Sequence, residues 1–370
     1  MPMDAMAEEL LELLKISSPS GREGALAGFL SEKLSSMGFQ VAFDEAAGPA
    51  GSEVGNLIAR LPGDGALRPI AICCHMDNVE PCEGVVPVLD GDVIRSSGQT
   101  VLGADDKAGI ALALELSRRA LRFGGRRGDL ELVFTVVEEK GLRGSKHLDL
   151  SMVKSQHFLV LDSSGPVGDV IVRGPAQDRI EARVLGRAAH AGLEPEKGVS
   201  AIVVAARAIS EMRLGRVDEI TTANVGVIRG GVATNIVAPE VHLEAEARSL
   251  DEGRLKSQTE HMVLTLREVA SRMGGEAEVR VERMYPSFSL SPEEEPVRTL
   301  VEAFKLSGLE ARLRGSGGGS DANVLNGRGR RAVNLSIGVS KPHSKEESVD
   351  LRELGKAVFA LEAFLRLWWS

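Results

Sequence analysis

With three cysteines in 370 residues, two of them adjacent, this chain has no disulfide framework. Neighbours such as Cys73 and Cys74 are poorly placed to pair, and Cys82 adds too little to build one. Cys74, set in an apolar run, reads as a small buried hydrophobe before it reads as a metal ligand. No segment approaches the ~18 consecutive apolar residues of a membrane span. Basic surplus is lacking too: a net charge of -9 argues against nucleic acid, which would favour a basic face. The opening Met-Pro-Met-Asp-Ala-Met-Ala-Glu-Glu has neither the basic nor the apolar region of a secretion signal. No internal repeat is visible. These absences predict a cytoplasmic protein with no membrane and no nucleic-acid partner.

Apolar residues make up 43% and charged residues 26%, ordinary values for a globular protein. The length exceeds the usual single core, so two domains are expected. Apolar residues recur at helical spacing from Met3 to Ile16, and Ser20-Gly-Arg-Glu23 reads as a capping box opening a helix that stops at Gly38. Short apolar runs follow at 39–43, 56–61 and 69–74, separated by turns such as Pro62-Gly-Asp-Gly. Residues 86–97, broken by Asp90-Gly-Asp, read as a hairpin. A strong helix is predicted over 106–123 and strands over 129–137, 158–161 and 170–172. Strands alternating with helices indicate an α/β domain with a mixed, largely parallel sheet flanked by helices.

The pattern changes after Gly174-Pro175. Alternating strands are predicted at 179–185, 222–228, 241–247 and 276–284, with helices at 200–212 and 251–273. This is a self-contained α+β unit of order βαββαβ, fitting a split-βαβ sandwich. The expected domains are therefore 1–174 with 285–370, and an inserted 175–284. A helix follows at 296–306, and then the glycine-rich Gly315 to Asp321, too short to be a linker. Leu351, Leu354, Val358, Leu361, Leu365 and Trp368 stand three and four apart on the last helix, an amphipathic stripe destined for the core. Trp368 and Trp369 read as packing and edge residues.

The chemistry gathers where apolar segments end or helices begin, the place where a parallel sheet presents its functional groups. His75-Met-Asp77 closes the run Ile70-Ala-Ile-Cys-Cys, and residues two apart on an extended backbone share a face. Asp77 is thus placed to orient the imidazole through its other nitrogen. Asp105-Asp106 stands before a helix, where carboxylates suit the positive end of the dipole. It is either an N-cap with a first-turn acid or a metal ligand, and the small Gly103-Ala and Ala108-Gly109 allow close backbone approach there. Glu138-Glu139 leaves the strand ending at Val137; two adjacent acids repel unless a proton or cation intervenes. They are either a solvated strand end or a ligand beside a free base. Asp162 ends Phe158-Leu-Val-Leu161 in the same way. His343, in a polar loop, and His190, in Gly-Arg-Ala-Ala-His190-Ala-Gly, are by themselves ordinary solvated histidines. Imidazole and carboxylate together suit zinc and neighbouring divalent ions.

Laid out in order, these residues resemble the M20 family of metallopeptidases, and within it the peptidase T-like tripeptidases. The likeness covers essentially the whole length: His75-Met-Asp77, Gly84-Val-Val-Pro through Leu-Gly-Ala-Asp105-Asp106-Lys-Ala-Gly, Glu138-Glu139, Leu-Asp162, the inserted domain and His343. It implies the fold of the dinuclear zinc exopeptidases, with the insert as a lid and dimerisation domain. It implies two divalent ions per chain, zinc by preference, with cobalt or manganese as substitutes. Asp105 and a water or hydroxide would bridge them, one ion taking His75 and Asp162 and the other Glu139 and His343. Glu138 would be the general base and Asp77 the residue that orients His75. A cis peptide between Asp105 and Asp106 is also implied. Substrate residues carried over by the likeness are His190, reaching a partner's active site, Arg248 for the terminal carboxylate, Asn235 beside it, and the backbone of Gly319 and Ser320. For Arg248 a strand-surface ion pair is the other reading. One departure is Asn78, where the family usually has threonine. The implied activity is hydrolysis of short peptides in a homodimer; the alternatives are an amidohydrolase or deacylase acting on N-acyl or carbamoyl amino acids, and a non-catalytic binding protein on the same scaffold.

Overall fold

The computed structural model describes residues 2–123 and 126–370. The chain divides into two compact units, one of Met1–Arg173, Ser289–Gly315 and Ser320–Ser370, the other of Gly174–Phe288 and Ser316–Gly319.

In the first unit the central sheet runs Gln40–Phe43, Leu57–Leu61, Leu130–Thr135, Ile70–His75, His157–Ser163, Arg331–Ser336 and Asp169–Gly174. The four strands from Leu130–Thr135 to Arg331–Ser336 are mutually parallel, and antiparallel strands flank them on both sides. Ile70–His75 and Leu130–Thr135 are buried at every position, as expected of strands covered on both faces. The helix Ala104–Leu121 packs on Ile70–His75 and against the helices Pro2–Lys15 and Leu351–Trp368. All six stripe residues of the last helix are buried, each aliphatic one stabilising the fold by roughly 1.5–3 kcal/mol relative to exposure. Trp368 stacks on Phe364 with ring centroids 5.4 Å apart, a core role. Among the described residues no helix is long and apolar enough to cross a membrane, and all three cysteines are free and buried.

Parallel pairing brings the strand ends to one edge. His75 lies opposite Thr135, and Ala71 opposite Phe158. Carrying that register forward sets Asp162 beside His75 and puts Glu138 just past the same edge.

Three local expectations are corrected. The Ser20–Glu23 capping box does not form: the helix is Gly24–Ser36, and Glu23 at its N-cap makes no side-chain cap. Both side chains are drawn elsewhere, Ser20 Oγ donating to Asp77 Oδ2 at 2.7 Å and Glu23 accepting from the amides of Gly21 and Val137. The helix Asp321–Gly327 and the strand Arg331–Ser336 have no counterpart among the elements expected from the sequence. Polar Asn334 breaks the strand's apolar pattern, yet is buried because its side chain accepts from Asp162 N.

The second unit holds a five-stranded antiparallel sheet in the order Gly215–Asp218, Thr221–Gly230, Glu240–Ser249, Ala176–Leu185, Glu276–Tyr285. The first of these is a short strand added to the expected βαββαβ order. Helices Ala201–Glu211 and Glu252–Arg272 begin at Ser200 and Asp251, whose side chains accept from Val203 N and Arg254 N. Burial alternates along Ala176–Leu185, with Ile180, Ala182 and Val184 facing a core that includes Val204, Leu255 and Leu266.

Candidate metal centre

Asp105 is the hub. Its Oδ1 lies 3.2 Å from His75 Nε2, which is 3.6 Å from Asp162 Oδ1. Its Oδ2 lies 3.4 Å from His343 Nε2, which is 2.9 Å from Glu139 Oε1. One carboxylate thus faces two half-sites, each completed by one imidazole and one further acid. Asp105 does not act as an N-cap: Gly103 takes that position, with φ at 75°, and Asp105 and Asp106 are non-helical. The peptide between them is cis.

Backbone and buried polar groups hold this hub. Glu347, 1% exposed, accepts from the amides of Leu102, Gly103 and Asp105 at 2.8–2.9 Å. Asn78 Nδ2 donates to the Asp105 carbonyl at 2.5 Å and so makes its own contact with the backbone of the hub residue. The small residues around Asp105 make room for protein groups. A Cβ on Gly109 would stand 2.2 Å from Asp106 Oδ1, and one on Gly103 2.9 Å from Asn78 Oδ1.

His75 Nδ1 is 2.9 Å from the backbone carbonyl of Asp77 and 3.6 Å from its carboxylate. The carbonyl therefore takes the ring N–H, and Nε2 is the nitrogen turned to Asp105 and Asp162. The Asp77 carboxylate is engaged elsewhere, accepting from Glu138 N at 2.8 Å and Glu139 N at 3.1 Å. Asp77 holds the turn that carries both acids more closely than it holds the ring.

Electrostatics make the site a sink for positive charge. Burial pushes the Glu138 carboxyl well above its usual range, and the charges of Asp162 and Glu139 push it further. Burial, with Asp105 and Asp321 adding, lifts Asp162 to about 7. Against the desolvation that would lower it, the carboxylates of Asp105, Asp162 and Asp77 hold the His75 imidazole well above its ordinary value. The adjoining carboxylates of Asp105 and Glu139 push His343 up to about 10. For Asp105 burial is outweighed by both histidines, which hold it well below the carboxylate range. The clustered acids thus draw positive charge to the imidazoles, as they would to any cation placed among them.

In the second unit His190 is exposed, and its neighbour Ala191 donates to the Asn235 carbonyl at 3.0 Å, so the segments of His190 and Asn235 lie together. Arg248 makes an ion pair on its own strand: Nε and Nη2 each donate to Glu246 at 3.0 Å, a two-point fork. Gly319 packs on a ring; a Cβ there would stand 2.2 Å from Tyr285 Cζ. In the first unit Ser320 is the N-cap of Asp321–Gly327, its amide donating to Asn323 Oδ1 at 3.0 Å. Its backbone N–H is therefore already engaged.

Residues 172–273 match the peptidase dimerisation domain model, and residues 56–199 that of peptidase family M28. The protein YqjE of Bacillus subtilis is 42% identical over 97% of both chains. A tripeptidase from Staphylococcus aureus superposes with a TM-score of 0.95 at 39% identity, covering 99% of this chain and 98% of that one. Aminopeptidase PepT from Bacillus cereus does so with a TM-score of 0.89 at 38% identity, covering 98% of each. The chain belongs to the M20 metallopeptidases, in their peptidase T-like branch. As an M20 chain it is a peptide-bond hydrolase of the metallo-exopeptidase class, and it binds metal.

The residues present fit that role. Ligand atoms of His75, Asp105 and Glu139 lie within 4.8 Å of one another. Glu139 Oε1 is buried with no hydrogen bond of sound geometry, although His343 Nε2 stands 2.9 Å away. Two lone-pair donors set close without hydrogen-bond alignment suit a shared cation. The M20 site also contains positioning groups that the sequence did not single out, namely Glu347, Asn334 and Glu23. Glu347 carried one available signal, an acid within the polar loop of His343. Asn334 and Glu23 are distant in sequence from the amides of Asp162 and Val137 that they hold at the site.

Proposed function

We propose that this M20 chain is an aminopeptidase of short peptides, tripeptides foremost, acting with two divalent ions, zinc by preference. The observation that carries the proposal is the division of the Asp105 carboxylate between the His75–Asp162 pair and the His343–Glu139 pair. These five residues would hold the ions. When bound, such a pair lowers the pKa of a shared water and polarises the scissile carbonyl.

The chain's own residues do the rest. Glu138 takes a proton from the attacking water and delivers it to the leaving amine; a carboxyl raised by burial and by neighbouring acids is suited to exchanging protons near neutrality. Asp77 fixes the backbone of Glu138 and Glu139 through two amide bonds, so base and ligand keep their spacing. Arg248 receives the peptide's terminal carboxylate, its plane set by the fork to Glu246. Asn235 and His190 share one surface, from which His190 steadies the oxyanion of a partner's site.

A homodimer through the second unit is part of the proposal. Ile202, Val203, Ile228 and Val232 are exposed there at 42%, 53%, 50% and 75%, an apolar presence that a partner would cover. Sedimentation velocity at micromolar concentration is expected to give a dimer; a monomer would leave His190 without a partner's site.

The activity is tested by assaying tripeptides, dipeptides and N-acetyl amino acids side by side with zinc-loaded protein. Tripeptides are expected to be cut fastest, from the N-terminus. Equal or better rates on the acyl amino acids would replace the peptidase assignment with a deacylase.

A further inference from the structure

Glu347 is a buried carboxylate outside the ligand set, and it accepts from three backbone amides. Its Oε2 accepts from Leu102 N at 2.9 Å and Gly103 N at 2.8 Å, and its Oε1 accepts from Asp105 N at 2.9 Å. All three donors belong to the short turn that delivers Asp105. On the far side of the same residue, Asn78 Nδ2 holds the Asp105 carbonyl. The backbone of the bridging carboxylate is therefore held at both its N–H and its C=O.

The other end of the connection is equally specific. Glu347 lies four residues beyond His343 in one loop, its own amide donating to the Ser344 carbonyl at 3.1 Å. His343 is 52% exposed at the side chain and adopts φ of 60°, so its place depends on the loop around it. Directly after Glu347, Ser348–Asp350 pairs with Val93–Ser96, which closes the loop onto the sheet system.

We propose that Glu347 is a positioning residue that ties the His343 loop to the Asp105 turn and thereby sets the spacing of the His343–Glu139 half-site. The proposal rests on the two-ion site described above. Its distinctive consequence is asymmetry. His75 and Asp162 stand on adjacent parallel strands and keep their places without Glu347, and Asp77 holds Glu139, whereas His343 has only the loop. Loss of the tie should weaken one ion and spare the other. Partners of this outer kind typically change metal affinity about 10–100-fold.

The test is zinc titration of the full-length protein in competition with a chromophoric chelator. Glu347→Gln keeps the shape but turns one hydrogen-bond acceptor into a donor facing an amide N–H. Glu131→Gln is the control: Glu131 is also buried and accepts from two amides, Lys154 N at 3.0 Å and Ser155 N at 2.8 Å, but it touches no ligand. The expected result is two zinc ions on wild type, one of them bound about tenfold or more weakly by Glu347→Gln, and wild-type affinities in Glu131→Gln. If Glu347→Gln does not fold, Glu347→Asp, with the charge kept one methylene short, takes its place in the same titration. Unchanged affinities for both ions, or equal weakening of both ions in Glu347→Gln, would overturn the role of Glu347 alone, as would the same loss in Glu131→Gln. A wild type that binds fewer than two ions would overturn the two-ion site and the tie with it.

Discussion

The two units use the same acids in opposite ways. In the first, Asp77, Asp105, Asp106, Glu138, Glu139, Asp162 and Asp321 converge around two imidazoles, and most are buried. In the second, acids line the open face of the sheet and meet arginines: Glu181 and Glu244 pair with Arg179, Glu240 and Glu278 with Arg183, Glu246 with Arg248. Pairing across exposed strands is worth little and costs little. Burying several like charges is costly unless something compensates them. The second arrangement can be explained by solubility and sheet pairing; the first calls for a cation. Asp105 shows the contrast in one residue: its carboxylate faces two imidazoles, where the five acids just named meet guanidinium groups.

The comparison can be broken most severely at Glu138. Glu138→Ala should lower turnover by about 10²–10⁴-fold while metal content by elemental analysis stays near wild type. Retention of more than a few per cent of activity would show that the buried acids serve metal binding and structure only. A middle-sized effect is expected from the one pair of the second unit assigned to substrate. Arg248→Ala should raise KM by roughly 10–100-fold for peptides with a free C-terminal carboxylate, the loss of a charge-assisted pair. The same variant should leave C-terminally amidated peptides nearly unchanged; an equal loss on both would reduce Arg248 to an ion pair with Glu246. The smallest effect belongs to Arg183→Ala, which removes two exposed pairs. Chemical denaturation should register little or no change in midpoint. A clear loss of stability would mean that the open face is covered by something that excludes water.

Much of the architecture is legible because burial writes periodicity into sequence. The last helix shows it: six residues spaced by three and four all reach the core. Element boundaries such as Ile70–His75 and Ala104–Leu121 follow from apolar runs and their polar ends. What cannot be read is polar burial. Ser20 and Glu23 have the residue types of a capping box, yet their side chains are claimed by Asp77 and by buried amides. Spacing points Asp77 at the His75 ring, and its carboxylate goes chiefly to two amides beyond the next strand. Hydrogen bonds of this kind join residues far apart in the chain, and no local pattern encodes them.

The sequence by itself determined the inventory: which acids and histidines stand at the ends of apolar segments, and that two dissimilar folding patterns share the chain. Local periodicity is enough for that, because it is set by the burial of neighbouring residues. Only the tertiary structure decided which donors meet. Parallel strand register put Asp162 beside His75, and the Glu347 loop carried His343 to the other oxygen of Asp105. That convergence depends on backbone amides and carbonyls, which every residue carries and no sequence spells out.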